Sequence, residues 1–261
     1  MGALMNLDNL KTTAGLDVAG KRVLVRADLN VPAAGGKVTD ATRLERIIPG
    51  LRDLSERGAK VIVISHFGRP KGGPDLAFSL APVAAELARI SGLPIAFAAD
   101  CVGPSAEAAI AEMAPGGVVV LENLRFHTGE EKNDPAFTAQ LASLGDIYVN
   151  DAFSCAHRAH ASTEGLAHVL PAYAGALMME EITAIRLATD NGQRPIAAVV
   201  GGAKVSTKIE VLTNLLDKVD VLIIGGGMAN TFLQSLGVFM GSSLAEPEFH
   251  ATARQIMAEA K

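Results

Sequence analysis

Short runs rich in Val, Ile and Leu recur along this chain, and stretches of helical period separate them. The runs stand at Arg22–Arg26, Lys60–Ser65, Val118–Leu121 and Ile147–Asn150, with a weaker one at Pro94–Phe97. Between them the spacing of apolar residues predicts helices over Thr42–Arg57, Ser79–Ile90, Pro104–Met113 and Pro135–Ser143. A strand that is apolar at every position, not at alternate ones, needs cover on both faces. A parallel sheet flanked by crossover helices supplies that cover. The expected fold class is therefore α/β, a doubly wound, Rossmann-like parallel sheet, whose ligands bind beyond the carboxyl ends of the strands.

The unusual polar residues follow that rule. After the first strand come Asp28-Leu29-Asn30-Val31-Pro32, and after the second His66-Phe67-Gly68-Arg69-Pro70. The strand ending at Leu121 leads into Glu122-Asn123-Leu124-Arg125-Phe126, and the one ending at Asn150 into Asp151 through His160. Arg43 is expected at the start of the first helix, behind Thr42 or Asp40 as a cap, turned to the same rim. Arg43, Arg69, Arg125 and Arg158, with His66, form a concentrated cationic site on an otherwise acidic chain. A guanidinium donates two parallel hydrogen bonds to a carboxylate or phosphoryl group, and Asp28 and Asn30 beside it suit a hydroxyl. The implied ligand is small, multiply anionic and hydroxylated. The plainer alternative is that each arginine pairs with a neighbouring carboxylate. His157 and His160 flank Arg158, and they read as structural residues because the arginines would repel a divalent cation and no third ligand stands at usable spacing.

A long helix is expected over residues 175–190, closed by Asn191-Gly192. We read it as a connector between a first domain, residues 1–174, and a partial second domain, residues 191–261. Two further strands follow, Ile196–Val200 and Val221–Ile224, each running into glycines and then a helix, and a last helical pattern covers Glu246–Lys261. Two strands are few for a doubly wound sheet, so the second domain reads as incomplete. Its first strand leads into Gly201-Gly202-Ala203-Lys204-Val205-Ser206-Thr207-Lys208. Free backbone N–H groups and a helix dipole there make an anion site. Lys204 and Lys208, four apart, are expected on one helix face, flanking a polyphosphate or simply solvated. Gly225-Gly226-Gly227 admits either a flat group such as an adenine or tight helix–strand packing.

Composition narrows the class further. The chain has 261 residues, 49% of them hydrophobic, and a net charge of −5, which gives no reason to expect nucleic acid. No apolar run approaches a bilayer span, and the start shows no signal-peptide pattern. Cys101 and Cys155 make no disulfide framework. A cytoplasmic, non-membrane protein is expected.

Together these segments resemble phosphoglycerate kinase. The carriers are Arg26–Pro32, Ser65–Pro70, Leu121–Phe126, Asn150–Phe153, Ala156–Ser162, Gly201–Lys208 and Gly225–Leu233, in the family's order. The resemblance implies two such domains joined by a helical hinge. It implies reversible transfer of the acyl phosphate of 1,3-bisphosphoglycerate to ADP, giving ATP and 3-phosphoglycerate in glycolysis. By position, Asp28, Leu29, Asn30, Arg43, His66, Phe67, Gly68, Arg69, Arg125 and Arg158 resemble the substrate site. Arg43 resembles the arginine that neutralises the transferring group, and Lys204 the mobile lysine that follows it. Gly201, Gly202, Ala203, Lys208 and Gly225–Gly227 resemble the nucleotide site. Magnesium would accompany ATP or ADP, and the carboxylate that holds it in the family lies beyond Lys261. A monomer is expected. The alternative is a truncated fragment that binds 3-phosphoglycerate without catalysing its phosphorylation. Where the family often has Gly-Thr, this chain has Ser154-Cys155, at positions that are not presumed ligands.

Overall fold

The computed structural model describes residues 10–71, 73–189 and 194–260. They form two compact units, one running to Glu181 and the other starting at Ile182. The break falls inside a helix, Ala176–Thr189, which occupies most of the expected connector; the expected cap at Asn191-Gly192 lies outside the described residues.

The first unit begins with β1 (Arg22–Arg26), a small antiparallel hairpin of β2 (Ala33–Ala34) and β3 (Lys37–Val38), and α1 (Thr42–Glu56). There follow β4 (Lys60–Ile64), α2 (Ala81–Ser91), β5 (Ile95–Ala98), α3 (Gly103–Ala111) and β6 (Val118–Leu121). The unit continues with α4 (Pro135–Ser143), β7 (Ile147–Asn150), α5 (Leu166–Val169), β8 (Ala172–Ala174) and the start of α6 (Ala176–Thr189). Six of these strands form one parallel sheet in the order β5-β6-β4-β1-β7-β8. The edge strand β8 was not foreseen, since Ala172-Tyr173-Ala174 is too short an apolar run to read as a strand.

Burial on both faces accounts for the continuous apolar strands. Val23, Val25, Val61, Val63, Val118 and Val120 pack under α1 and α2, while Leu24, Ile62, Ile64, Val119 and Leu121 pack under α3 and α4 on the other side. Helix α1 buries Leu44, Ile47, Leu51 and Leu54, one stripe at helical spacing. At its start the Thr42 N–H donates to Asp40 Oδ1 (2.9 Å), so Asp40 serves the first turn as expected, although Ala41 is the cap residue itself.

The second unit holds β9 (Ala197–Gly201), α7 (Ile209–Leu216), β10 (Val221–Gly225), α8 (Gly226–Ser235) and α9 (His250–Glu259). Its two strands are parallel, with Ala197 opposite Val221. One face of the pair, Val200, Leu222 and Ile224, packs on a core of Val205, Leu212, Met228, Phe232, Ala253 and Ile256. The other leaves Val199 73% and Ile223 48% exposed. The helix expected from Glu246 begins only at His250, after a 3-10 turn at Pro247–Phe249, because the Glu246 carboxylate is bound elsewhere. Among the described residues no helix is long and apolar enough to cross a membrane.

Candidate functional site

Four neighbouring strands of the first sheet, β6-β4-β1-β7, carry the four polar loops. Adjacent parallel strands end on one edge, so the sheet order alone brings Asp28, Asn30, His66, Arg125 and Arg158 to one rim. Two buried polar groups pin the loops. Ser65 Oγ accepts from the Leu29 N–H (3.0 Å) and donates to the Ala27 carbonyl (2.8 Å), tying the exits of β1 and β4 together. Asn123, fully buried, accepts from the Phe67 N–H and donates through Nδ2 to the Phe67 and Phe78 carbonyls, at 2.7 and 2.9 Å. Leu29 is itself wholly buried and its N–H is committed, so it supports the rim from beneath.

Gly68 sits at φ +59°, and a Cβ there would fall 2.2 Å from the Phe78 ring. Only glycine fits that turn without moving the ring. Its N–H donates to Asn30 Oδ1 (2.9 Å) and its carbonyl accepts from Arg125 Nη1 (2.6 Å). Asn30 therefore keeps its Nδ2 amide free among the described residues.

The cations divide by partner. Arg43 Nη1 donates to Asp28 Oδ2 and to the Asn30 carbonyl, both at 2.9 Å. Arg125 Nε lies 3.1 Å from a Glu131 oxygen, close enough for charge attraction but out of line for a hydrogen bond. Arg158 Nη1 lies 3.5 Å from His66 Nε2. Exposed Arg69 makes no hydrogen bond or ion pair among the described residues. Simple carboxylate pairing thus accounts for two of the four arginines. Burial lowers the Arg125 pKa, and Arg158, Arg26 and Arg69 add to this against the pull of Glu131.

Beneath the rim lies a group whose role the sequence did not reveal. Arg26, 1% exposed, donates from Nε to Ser162 Oγ (2.9 Å) and from Nη2 to His66 Nδ1 (3.0 Å). Ser162 Oγ in turn donates to Glu130 Oε1 (2.6 Å), and Glu130 is fully buried. Burial raises the Glu130 pKa, but the nearby His160 ring, the Arg26 charge and the hydrogen bonds from Ser162 bring it below its ordinary value. For His66, burial and the guanidiniums of Arg26, Arg125 and Arg158 outweigh Asp28 and hold its pKa at about 3. His66 is neutral at physiological pH.

Three further residues matter. Ser154 Oγ donates to Asp28 Oδ2 (2.6 Å), so this departure from the family's usual glycine touches a site carboxylate. Asp151 Oδ1 accepts from the Met178 N–H (2.8 Å) at the start of α6, joining the β7 loop to that helix, and burial raises its carboxyl pKa. Glu122 accepts from Ser79 Oγ (2.6 Å) and the Leu80 N–H (2.7 Å) ahead of α2. Asp28, His66 and Cys155 stand close enough to hold a metal, as do Asp100, Cys101 and His127, but the first set lies among arginines. His160 turns to Glu130 (3.7 Å) and its N–H donates to Thr163 Oγ1.

In the second unit the expected helix face is not formed. Lys204 lies in the loop and Lys208 is the cap residue of α7, which starts only at Ile209. Glu246 explains the delay: its oxygens accept from the Ser206 N–H (3.1 Å) and Ser206 Oγ (2.7 Å), and the Lys208 N–H closes a turn onto the Val205 carbonyl (2.8 Å). Both lysines are exposed. The glycine loops pack on each other. A Cβ on Gly226 would lie 2.9 Å from the Gly202 carbonyl oxygen, and one on Gly227 2.9 Å from that of Ala203, whereas Gly201 and Gly225 face open space.

The family model for phosphoglycerate kinase matches residues 13–261. The chain is 60% identical to phosphoglycerate kinase of Azorhizobium caulinodans over 254 residues, covering 97% of this chain and 64% of that one. It is 60% identical to that of Rhodospirillum centenum over 250 residues, covering 96% and 63%. Phosphoglycerate kinase from Coxiella burnetii superposes with a TM-score of 0.82 at 43% identity, over 96% of this chain and 63% of that one. The enzyme from Pyrococcus horikoshii gives 0.82 at 30% identity, over 96% and 65%. The chain thus spans just under two thirds of the length of these relatives. Matched along nearly all of its own length, it belongs to the phosphoglycerate kinase family.

Proposed function

We propose that the first unit binds 3-phosphoglycerate and that the protein to which this chain belongs transfers the acyl phosphate of 1,3-bisphosphoglycerate to ADP, reversibly. The observation that carries this reading is the convergence of Arg125, Arg158, neutral His66 and the free Asn30 amide at the ends of adjacent strands, with Arg43 held by Asp28 at their margin. Arg69 adds an uncommitted charge. Such a set binds a carboxylate or phosphate and a hydroxyl at once. Phe67 and Gly68 shape the wall of that site.

The inventory also suits the chemistry. In one direction a nucleotide phosphate oxygen attacks, and in the other a carboxylate. Both are anionic at neutral pH, so the reaction needs alignment and charge neutralisation without a general base. His66, with its pKa near 3, is a neutral imidazole at pH 7 and supplies no imidazolium acid. In this reading Arg43 and Lys204 neutralise the group in flight. Lys208, Gly201, Gly202, Ala203 and Gly225–Gly227 serve the nucleotide. Helix α6 is the hinge by which two domains exclude water. Magnesium would enter with ATP or ADP as the nucleotide's counter-ion. A cytoplasmic monomer completes the proposal.

The test is paired. Calorimetry of the 261-residue chain with 3-phosphoglycerate should show binding that Arg125→Ala weakens; no binding to folded protein would overturn the substrate assignment. A coupled assay with 3-phosphoglycerate, ATP and magnesium, beside a Lys204→Ala control, reads catalysis. Turnover that the control loses supports kinase activity in this chain, while binding without turnover supports the fragment reading.

A further inference from the structure

The parallel register sets Ala98 of β5 beside Leu121 of β6, so the chain leaving these two strands emerges at one corner of the sheet. Asp100 and Cys101 follow the first strand directly, and His127 follows the second after the 3-10 turn Leu124–Phe126. Their donor atoms gather: one carboxylate oxygen, the thiol sulfur and one imidazole nitrogen all lie within 4.8 Å of one another. His127 Nε2 stands 2.7 Å from Asp100 Oδ1, which also accepts from the Cys101 N–H at 2.6 Å. Both contacts use the one oxygen, and Asp100 Oδ2 makes no hydrogen bond among the described residues. The His127 ring is steadied by stacking on Phe137 of α4, with centroids 5.2 Å apart and planes 21° from parallel. Cys101 is wholly buried in the core that includes Val102, Ala106 and Leu124, whereas Asp100 and His127 are half-buried.

A thiolate, an imidazole and a carboxylate are the donor types that zinc takes, and three protein ligands leave a fourth position for water. The set does not suit magnesium, which prefers oxygen throughout. We propose that Asp100, Cys101 and His127 form a binding site for one Zn2+ ion, with water in the fourth position on the solvent side. The ion would part the imidazole and carboxylate from 2.7 Å to about 3.3 Å, the edge of a tetrahedron of zinc–ligand length. It would tether the exit of the edge strand β5 to the segment that follows Arg125. The local charge agrees. Asp100, Glu130 and Glu122 all act on the Cys101 thiol, and together with burial, the largest cause, they raise its pKa well above the ordinary value. Without metal the sulfur stays a protonated thiol. A divalent cation supplies the positive charge these neighbours lack, and the thiol proton passes to solvent as the Zn–S bond forms. The cluster of Asp28, His66 and Cys155 differs here, because Arg26, Arg125 and Arg158 surround its imidazole. No rim residue takes part in the zinc site, so it does not depend on the function proposed above.

The experiment adds Co2+ and then Zn2+ to the full 261-residue chain, reduced and freed of metal with a chelator. The expected spectrum gains a thiolate-to-cobalt charge-transfer band that saturates at one equivalent, and Zn2+ abolishes it. The band should vanish in Cys101→Ser and persist in Cys155→Ser, since these are the chain's two cysteines. No band from reduced, folded protein, or a band that follows Cys155, would overturn the proposal. Where Cys101→Ser does not fold, His127→Gln and Asp100→Asn decide the matter, because both keep the thiol. Each should raise the Zn2+ dissociation constant, read by competition with a chromophoric chelator, at least about tenfold. Wild-type affinity in both folded variants would equally sink the site. One equivalent of Zn2+ should also raise the urea midpoint of the wild type more than that of His127→Gln; an equal shift in the two would place the ion elsewhere.

Discussion

The two units place charged residues on loops after strands in opposite ways. In the first, the rim rests on a sheet covered on both faces, and each loop is pinned by a buried polar group such as Ser65, Asn123 or Arg26. In the second, two strands carry the lysine loop with one face open, and Val199 is 73% exposed. The first arrangement pre-orders its cations before any ligand arrives, which reduces the ordering cost of binding. The second leaves Lys204 and Lys208 exposed on a turn, with no comparable buried support.

The sharpest way to break that contrast is to compare the two sheets directly. Leu24, fully buried in the central strand, packs beside Tyr148 and Leu144. Leu24→Ala should cost about 2–5 kcal/mol, and Val199→Thr, on the open face, within about 0.5 kcal/mol. Urea unfolding of each variant checks this. Equal costs would mean that the open face is covered in solution.

A somewhat smaller effect is expected at the rim. Arg158 pairs with no carboxylate among the described residues, so its guanidinium is available to an anion. Arg158→Ala should raise the dissociation constant for 3-phosphoglycerate about tenfold to a hundredfold, as loss of a charged hydrogen bond does. Titration calorimetry reads the change, and wild-type affinity would remove Arg158 from the site.

Acid provides the next test. His66 has a folded pKa of about 3 against an ordinary 6.5, so between these values the unfolded chain binds a proton that the folded one refuses. Stability should therefore fall as pH drops below about 6.5, by at most about 1.4 kcal/mol per pH unit from this group. Asp151, its pKa raised by burial, leans the other way above the ordinary carboxyl value. Denaturant midpoints from pH 7 to pH 5 should slope less in His66→Gln than in the wild type.

Much of this was legible in the residues. Unbroken apolar runs such as Lys60–Ile64 and Val118–Leu121 announced strands covered on both faces, and the polar residues after them announced the rim. Their adjacency was not legible, because strand order depends on crossovers that no local pattern encodes. Arg26 left a faint signal, a charge closing an apolar strand, but Glu130 and Ser162 had none; their meaning exists only through contacts across 136 and 32 residues of sequence. The helix expected over Lys204–Lys208 failed for the same reason, since Glu246, 40 residues away, binds Ser206 and delays α7.

That delay makes Lys208 the most informative residue of the second unit. It caps α7 with no side-chain hydrogen bond and is exposed. A cation at a helix N-terminus opposes the dipole by about 0.3–1 kcal/mol, so stability gives no reason for a lysine there. An anionic ligand does. Lys208→Ala should leave the urea midpoint unchanged or slightly raised while increasing the ATP dissociation constant about tenfold, or about 1.4 kcal/mol. If stability falls and ATP affinity holds, Lys208 belongs to the fold, and the phosphate reading of this loop loses its strongest residue.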